Sequence, residues 1–146
     1  MNTANEIAEQ IRSHGLKATR PRRLVLETLS ENSGHWSVDQ IVDMLKDREH
    51  TITRMSVYNA IHALNRAGLV MIADAGPGRT LYEVSGKWHH HFVCRKCGSV
   101  QDIPCLKGKK PCLIPSPDIG AEVDEAQVIF RGICKACLDH RHSENT

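Results

Sequence analysis

At 146 residues, 40% hydrophobic and 25% charged with a formal net charge of +2, the chain fits one ordinary domain or two small ones. Two halves of this size are each marginal and lean on a metal, a disulfide or a partner subunit. No apolar run is long enough to span a bilayer, and the start, Met1-Asn2-Thr3-Ala4-Asn5-Glu6, lacks a basic-then-apolar signal pattern, so a cytoplasmic protein is expected.

Thr3-Ala4-Asn5-Glu6 reads as a capping box, with Ile7 and Ile11 following on one helical face until Gly15. Residues 12–23 then carry Arg12, Lys17, Arg20, Arg22 and Arg23 with no acid among them. Such a run is either a solvated helix end or a phosphate-contacting patch. Thr19-Arg20-Pro21 opens a second helix with Leu24, Val25 and Leu29 as its buried stripe. Ser37-Val38-Asp39-Gln40 is another capping box, and Ile41, Met44 and Leu45 line the third helix. A fourth begins at Thr53 or Arg54, carries Val57, Ile61 and Leu64, and ends at Gly68. Segments 69–72 and 80–84 read as strands joined through Gly76-Pro77-Gly78.

Short helices followed by a hairpin outline a winged helix-turn-helix, with the fourth helix for recognition and Arg79 on the wing. Arg54, Ser56, Tyr58, Asn59 and Arg66 lie mostly off the apolar stripe, as base-reading groups or as ordinary surface residues. Ser85-Gly86-Lys87 marks a boundary, giving a DNA-binding domain over 1–85 and a second domain over 86–146.

Past that boundary helical periodicity ends. Residues 91–94 and 99–103 read as strands, 128–134 as a last strand, and four prolines exclude a long helix from 104–117. The tail after Leu138 is polar and expected to be mobile.

Six cysteines in a cytoplasmic chain point to metal or redox chemistry before disulfides. Cys94-x-x-Cys97 and Cys134-x-x-Cys137 are two chelating pairs whose four thiolates complete a closed tetrahedral shell, which favours structural zinc. Iron–sulfur ligation and a thioredoxin-like dithiol are the rivals. The dithiol needs a helix start, and both pairs are expected on strands. Cys105 and Cys112 are left over, either inert or a redox-responsive pair.

His89-His90-His91 precedes Cys94 directly. On a strand His89 and His91 share a face while His90 points away. Two imidazoles make half of a metal site, and Glu83 and Asp102 are nearby carboxylates. A mixed nitrogen and oxygen site suits exchangeable Fe(II), Mn(II) or Zn(II). A solvated polar linker is the bland alternative.

With these residues in place, the chain resembles the ferric uptake regulator (Fur) family. The matches are Gly15-Leu16-Lys17-x-Thr19-x-Pro21-Arg22, Ser56-Val57-Tyr58-Asn59-x-x-x-x-Leu64, His89-His90-His91-x-x-Cys94-x-x-Cys97-Gly98 and Cys134-x-x-Cys137. The resemblance implies an α+β protein, an N-terminal winged helix-turn-helix DNA-binding domain plus a C-terminal α/β dimerisation domain holding the four-cysteine zinc site. It also implies a homodimer on double-stranded palindromic operator DNA and no membrane partner. It places the regulatory site on His35, Glu83, His89, His91 and Asp102, and DNA contacts on Lys17, Tyr58 and Asn59, beside which Arg20, Arg54 and Ser56 are DNA-binding candidates. The expected function is metal-dependent repression of iron or oxidative-stress genes, with Fe(II) as co-repressor and Mn(II) or Zn(II) as alternatives.

Peroxide-sensing members often carry Asp where this chain has Glu83. A helix many relatives place after the second strand is replaced by the proline-broken 104–117, and a third metal site lacks its histidine at Glu125-Ala126. Residues 102–113 look most like an actinobacterial subgroup linked to catalase-peroxidase genes. A zinc sensor, a zinc-ribbon module without DNA binding and a zinc hydrolase are the other readings. The hydrolase lacks an HExxH-type helix.

Overall fold

Each of the first four helices starts where a hydroxyl side chain satisfies an orphan backbone N–H. The computed structural model, which describes residues 3–144, runs α1 (Ala4–Ser13), α2 (Arg20–Glu31), α3 (Val38–Asp47) and α4 (Arg54–Arg66). Thr3, Thr19, Ser37 and Thr53 are their N-caps, accepting from the N–H of Glu6, Arg22, Gln40 and Ser56. In α1 and α3 the Glu6 and Gln40 side chains return the bond to the cap backbone, which closes both capping boxes.

The apolar faces of these helices make one core. Ile11, Val25, Leu26, Ile41, Val57, Ile61 and Leu64 are fully inaccessible to solvent within it. Strands β1 (Val70–Asp74) and β2 (Thr80–Val84) follow as an antiparallel hairpin with Met71 opposite Glu83. One further pairing matters for the site. Trp36 bridges Tyr82 antiparallel, with Trp36 N–H donating to Tyr82 O (3.0 Å) and Tyr82 N–H to Trp36 O (2.8 Å). The loop before α3 is thereby tied to the second strand of the hairpin.

The chain divides into two compact units, Met1–Ser85 and Gly86–Thr146. In the second, β3 (His89–Cys94) is the central strand, flanked by antiparallel β4 (Val100–Pro104) and parallel β5 (Ile129–Gly132). Residues 105–128 form neither helix nor strand, as Pro104, Pro111, Pro115 and Pro117 require.

Two expectations need correction. The tail after Leu138, expected to be mobile, continues α5 (Lys135–Glu144) up to residue 144, with 145 and 146 outside the described residues, and Cys137 lies in that helix rather than on a strand. A polar segment shows no apolar stripe by which a helix can be read. The first β-strand also runs to Asp74, two residues past the apolar segment that signalled it.

Truncating Ile61 to alanine opens a cavity in the fully buried core and should lower unfolding free energy by about 3 kcal/mol. Urea titration should show this as a lower midpoint with an unchanged slope.

Candidate metal centres

The sulfur site is assembled by strand register. Cys94 ends β3 opposite Gly132 of β5, so the chain leaving β5 delivers Cys134 beside it. A turn closed by Gly98 N–H donating to Cys94 O (3.0 Å) folds Cys97 back, with Gly98 at φ 76°, a conformation suited to glycine. The four sulfurs converge, with Cys94 Sγ to Cys137 Sγ at 3.9 Å and Cys97 Sγ to Cys134 Sγ at 3.7 Å. Four ligands at about 2.3 Å on a tetrahedron stand roughly 3.8 Å apart, so the spacing fits zinc without rearrangement.

Electrostatics support the same conclusion. Backbone N–H groups of Cys97 and Cys134 point at Cys94 Sγ (3.4 and 3.3 Å) and draw its thiol down to about 6. Cys137 is pushed up to about 12, chiefly by the Cys134 side chain and then by burial. One thiolate forms readily and opposes the next, so four together call for a cation. The helix start at Lys135 removes the objection to a redox dithiol based on strand placement. The convergence of two cysteine pairs on one point replaces it, since a dithiol needs only one.

Nitrogen and oxygen donors form a pair in the first unit and a triad in the second. In the first, the Trp36–Tyr82 bridge sets residue 35 beside residue 83, and His35 Nε2 lies 3.1 Å from Glu83 Oε2. Both side chains are 9% exposed. In the second, His91 pairs directly with Asp102 across β3 and β4, so their side chains share a face. Asp102 Oδ1 is 3.6 Å from His91 Nε2 and 3.4 Å from His89 Nε2. The His89 and His91 rings stand edge-on, centroids 4.9 Å apart. His90 takes the opposite face, where Val128 N–H donates to its Nδ1 (3.0 Å).

His89 Nδ1 donates to Lys87 O at 2.8 Å, which leaves the Nε2 lone pair as the ligand atom on the Asp102 side. The Gln127 amide nitrogen lies 3.4 Å from His91 Nδ1 and donates to it, which holds the plane of that ring. A nitrogen and oxygen donor set of this kind suits divalent first-row metals.

The candidate DNA residues lie along the first half of α4 and around the start of α2. Tyr58 and Asn59 are exposed, Tyr58 stacking on His62 with centroids 4.6 Å apart. Ser56 is half-buried beside the Thr53 cap. Arg54 Nε donates to Asp39 Oδ1 at 2.7 Å, so this exposed guanidinium is already paired. Lys17 and Arg20 are exposed, and Arg22 Nη1 donates to Lys17 O, fixing the turn between α1 and α2.

The sequence profile described as the ferric uptake regulator family matches residues 13–110. The chain is 38% identical over 138 residues to the transcriptional regulator FurA of Mycobacterium tuberculosis, covering 94% of this chain and 93% of that one. The chain belongs to the ferric uptake regulator family. Among solved structures, the ferric uptake regulator of Francisella tularensis with iron is 26% identical, with a TM-score of 0.63 over 85% of this chain and 96% of that one. A zinc uptake regulator complexed with zinc and DNA shares the fold at 21% identity, with a TM-score of 0.65 over 97% and 99% of the two chains. Fur-family proteins are metal-responsive transcriptional regulators and not enzymes. Among the described residues no helix is long and apolar enough to cross a membrane.

Within this Fur-family chain, sequence reasoning passed over two supporting residues. Gln127 lies in the irregular stretch before β5 and carries no local motif. Trp36 positions His35 through its backbone, which no side-chain pattern reports.

Replacing Cys134 by serine should abolish chelator-resistant zinc and unfold the second unit, read by metal analysis and amide exchange. Gln127→Ala should weaken metal binding at His89, His91 and Asp102 by about tenfold with the sulfur site intact. Competition against a fluorescent chelator measures it.

Proposed function

We propose that this regulator is a homodimeric, metal-dependent repressor that binds palindromic operator DNA when His35, Glu83, His89, His91 and Asp102 hold one sensory ion, Fe(II). What supports it is that each unit by itself carries an incomplete nitrogen and oxygen donor set. The first offers an imidazole and a carboxylate, the second two imidazoles and a carboxylate, and neither pair nor triad fills an octahedral shell. An ion bound by both sets supplies a cross-link between the units. His35 and Glu83 then hold the first unit, with its α4, in a fixed relation to the second.

In a dimer this fixes the separation of two recognition helices, and operator half-site spacing reads that separation. The ion acts by differential affinity for the two arrangements, as any allosteric ligand must. The exposed Lys17, Arg20, Tyr58 and Asn59 supply phosphate and base contacts, joined by Ser56 and by Arg54 if it exchanges Asp39 for DNA. The regulated genes on this reading serve iron or oxidative-stress responses.

Zinc binds most such sites more tightly than Fe(II), so selectivity has to be measured against free metal concentration. Fluorescence anisotropy of a palindromic duplex, titrated with buffered Fe(II) or Zn(II), should show Fe(II)-dependent binding at micromolar free metal. His89→Ala should weaken that response by about tenfold or more without loss of the structural zinc. Half-saturation at picomolar zinc with no response to iron would make the protein a zinc sensor.

A further inference from the structure

The metal centres leave two cysteines unused. Cys105 follows β4 directly and is half-buried, and Cys112 lies seven positions on and is buried. Their Sγ atoms and a nitrogen of His90 lie within 4.8 Å of one another. All three residues belong to the second unit.

The hydrogen bonds give these groups different roles. Val128 N–H donates to His90 Nδ1 at 3.0 Å, which occupies the lone pair of the neutral imidazole. The ring proton then sits on Nε2, which faces Cys112 Sγ at 3.4 Å and donates to it. A metal at this position needs that same Nε2 lone pair, so the arrangement is built for thiol chemistry. Cys112 Sγ in turn donates to Ala126 O at 3.4 Å, which fixes the position of this buried sulfur.

Cys105 differs. Burial opposes its ionisation, but backbone N–H groups of Gly108 and Lys107, the Cys112 side chain and the Lys109 N–H outweigh that and hold it below its ordinary value. The loop between the cysteines lies outside helix and strand, and Gly108 at φ 64° supplies its tight bend.

We propose that Cys105 and Cys112 form a second reactive site, a dithiol that hydroperoxides oxidise to a disulfide, distinct from both metal centres. Cys105 sulfur attacks one peroxide oxygen; the O–O bond breaks, an S–O bond forms, and the leaving oxygen departs protonated as water or alcohol. Cys112 sulfur then attacks Cys105 sulfur and displaces hydroxide, which leaves as water with the Cys112 proton. Two electrons pass from the two thiols to the peroxide, and the accessible sulfur reacts before the buried one.

The test uses the full-length, zinc-loaded chain freed of iron and exposed to hydrogen peroxide, followed by alkylation and peptide mass spectrometry. A Cys105–Cys112 disulfide should form while Cys94, Cys97, Cys134 and Cys137 stay zinc-bound. Cys105→Ser should abolish it, and Cys112→Ser should leave Cys105 as a sulfenic acid that dimedone traps. Before oxidation, Cys105 should alkylate about tenfold faster than Cys112. The proposal is overturned if both thiols stay alkylatable after peroxide, or if the zinc cysteines oxidise first. It is equally overturned if the wild-type chain holds a further zinc ion that Cys105→Ser removes, since the group is then a metal site. Because Cys105 is half-exposed and outside the core, Cys105→Ala provides a second variant with the same expected loss of the disulfide.

Discussion

The alternation of side chains along β3 is the constraint on which the chemistry of the second unit depends. Between His89 and Cys94 the strand has a neighbour on each edge, antiparallel β4 and parallel β5. Pairing with β4 sets Asp102 across from His91, and pairing with β5 sets Gly132 across from Cys94, so that Cys134 arrives at the sulfur site. A shift of one residue in either register would turn His91 away from Asp102 or carry Cys134 away from Cys94. The same alternation sends His90 to the opposite face, where it meets Cys112.

Three kinds of chemistry therefore sit on six residues without sharing ligands. Soft thiolates at the end of the strand suit a permanent zinc ion. Imidazoles and a carboxylate on one face suit an exchangeable one. An imidazole on the other face, its lone pair taken by a backbone N–H, serves a thiol. A zinc ion held by those thiolates would have a plain structural task. A unit of 61 residues carrying a three-stranded sheet and a long irregular stretch has little apolar core, and linking α5 to β3 through sulfur replaces what burial does not supply.

Much of this was legible in the chain because the deciding interactions are local. Thr3, Ser37 and Thr53 cap helices within three residues, and Cys-x-x-Cys spacing announces chelation by itself. The histidine alternation also followed from strand periodicity alone. Other features depend on contacts remote in sequence. The pairing of His35 with Glu83 rests on a single bridge between Trp36 and Tyr82, and Gln127 meets His91 only because β5 runs parallel to β3. Helix α5 escaped because its sequence is polar beyond Leu138, and it starts where the second cysteine pair turns the chain.

On the proposed reading these features divide the labour between a sulfur site that holds its ion permanently and a nitrogen and oxygen site that exchanges it. Metal content per chain, measured before and after exhaustive EDTA treatment, separates the two. One zinc ion should survive the chelator, while a second, exchangeable ion leaves and returns when Fe(II) is restored. Loss of both ions together, or retention of both, would contradict that division.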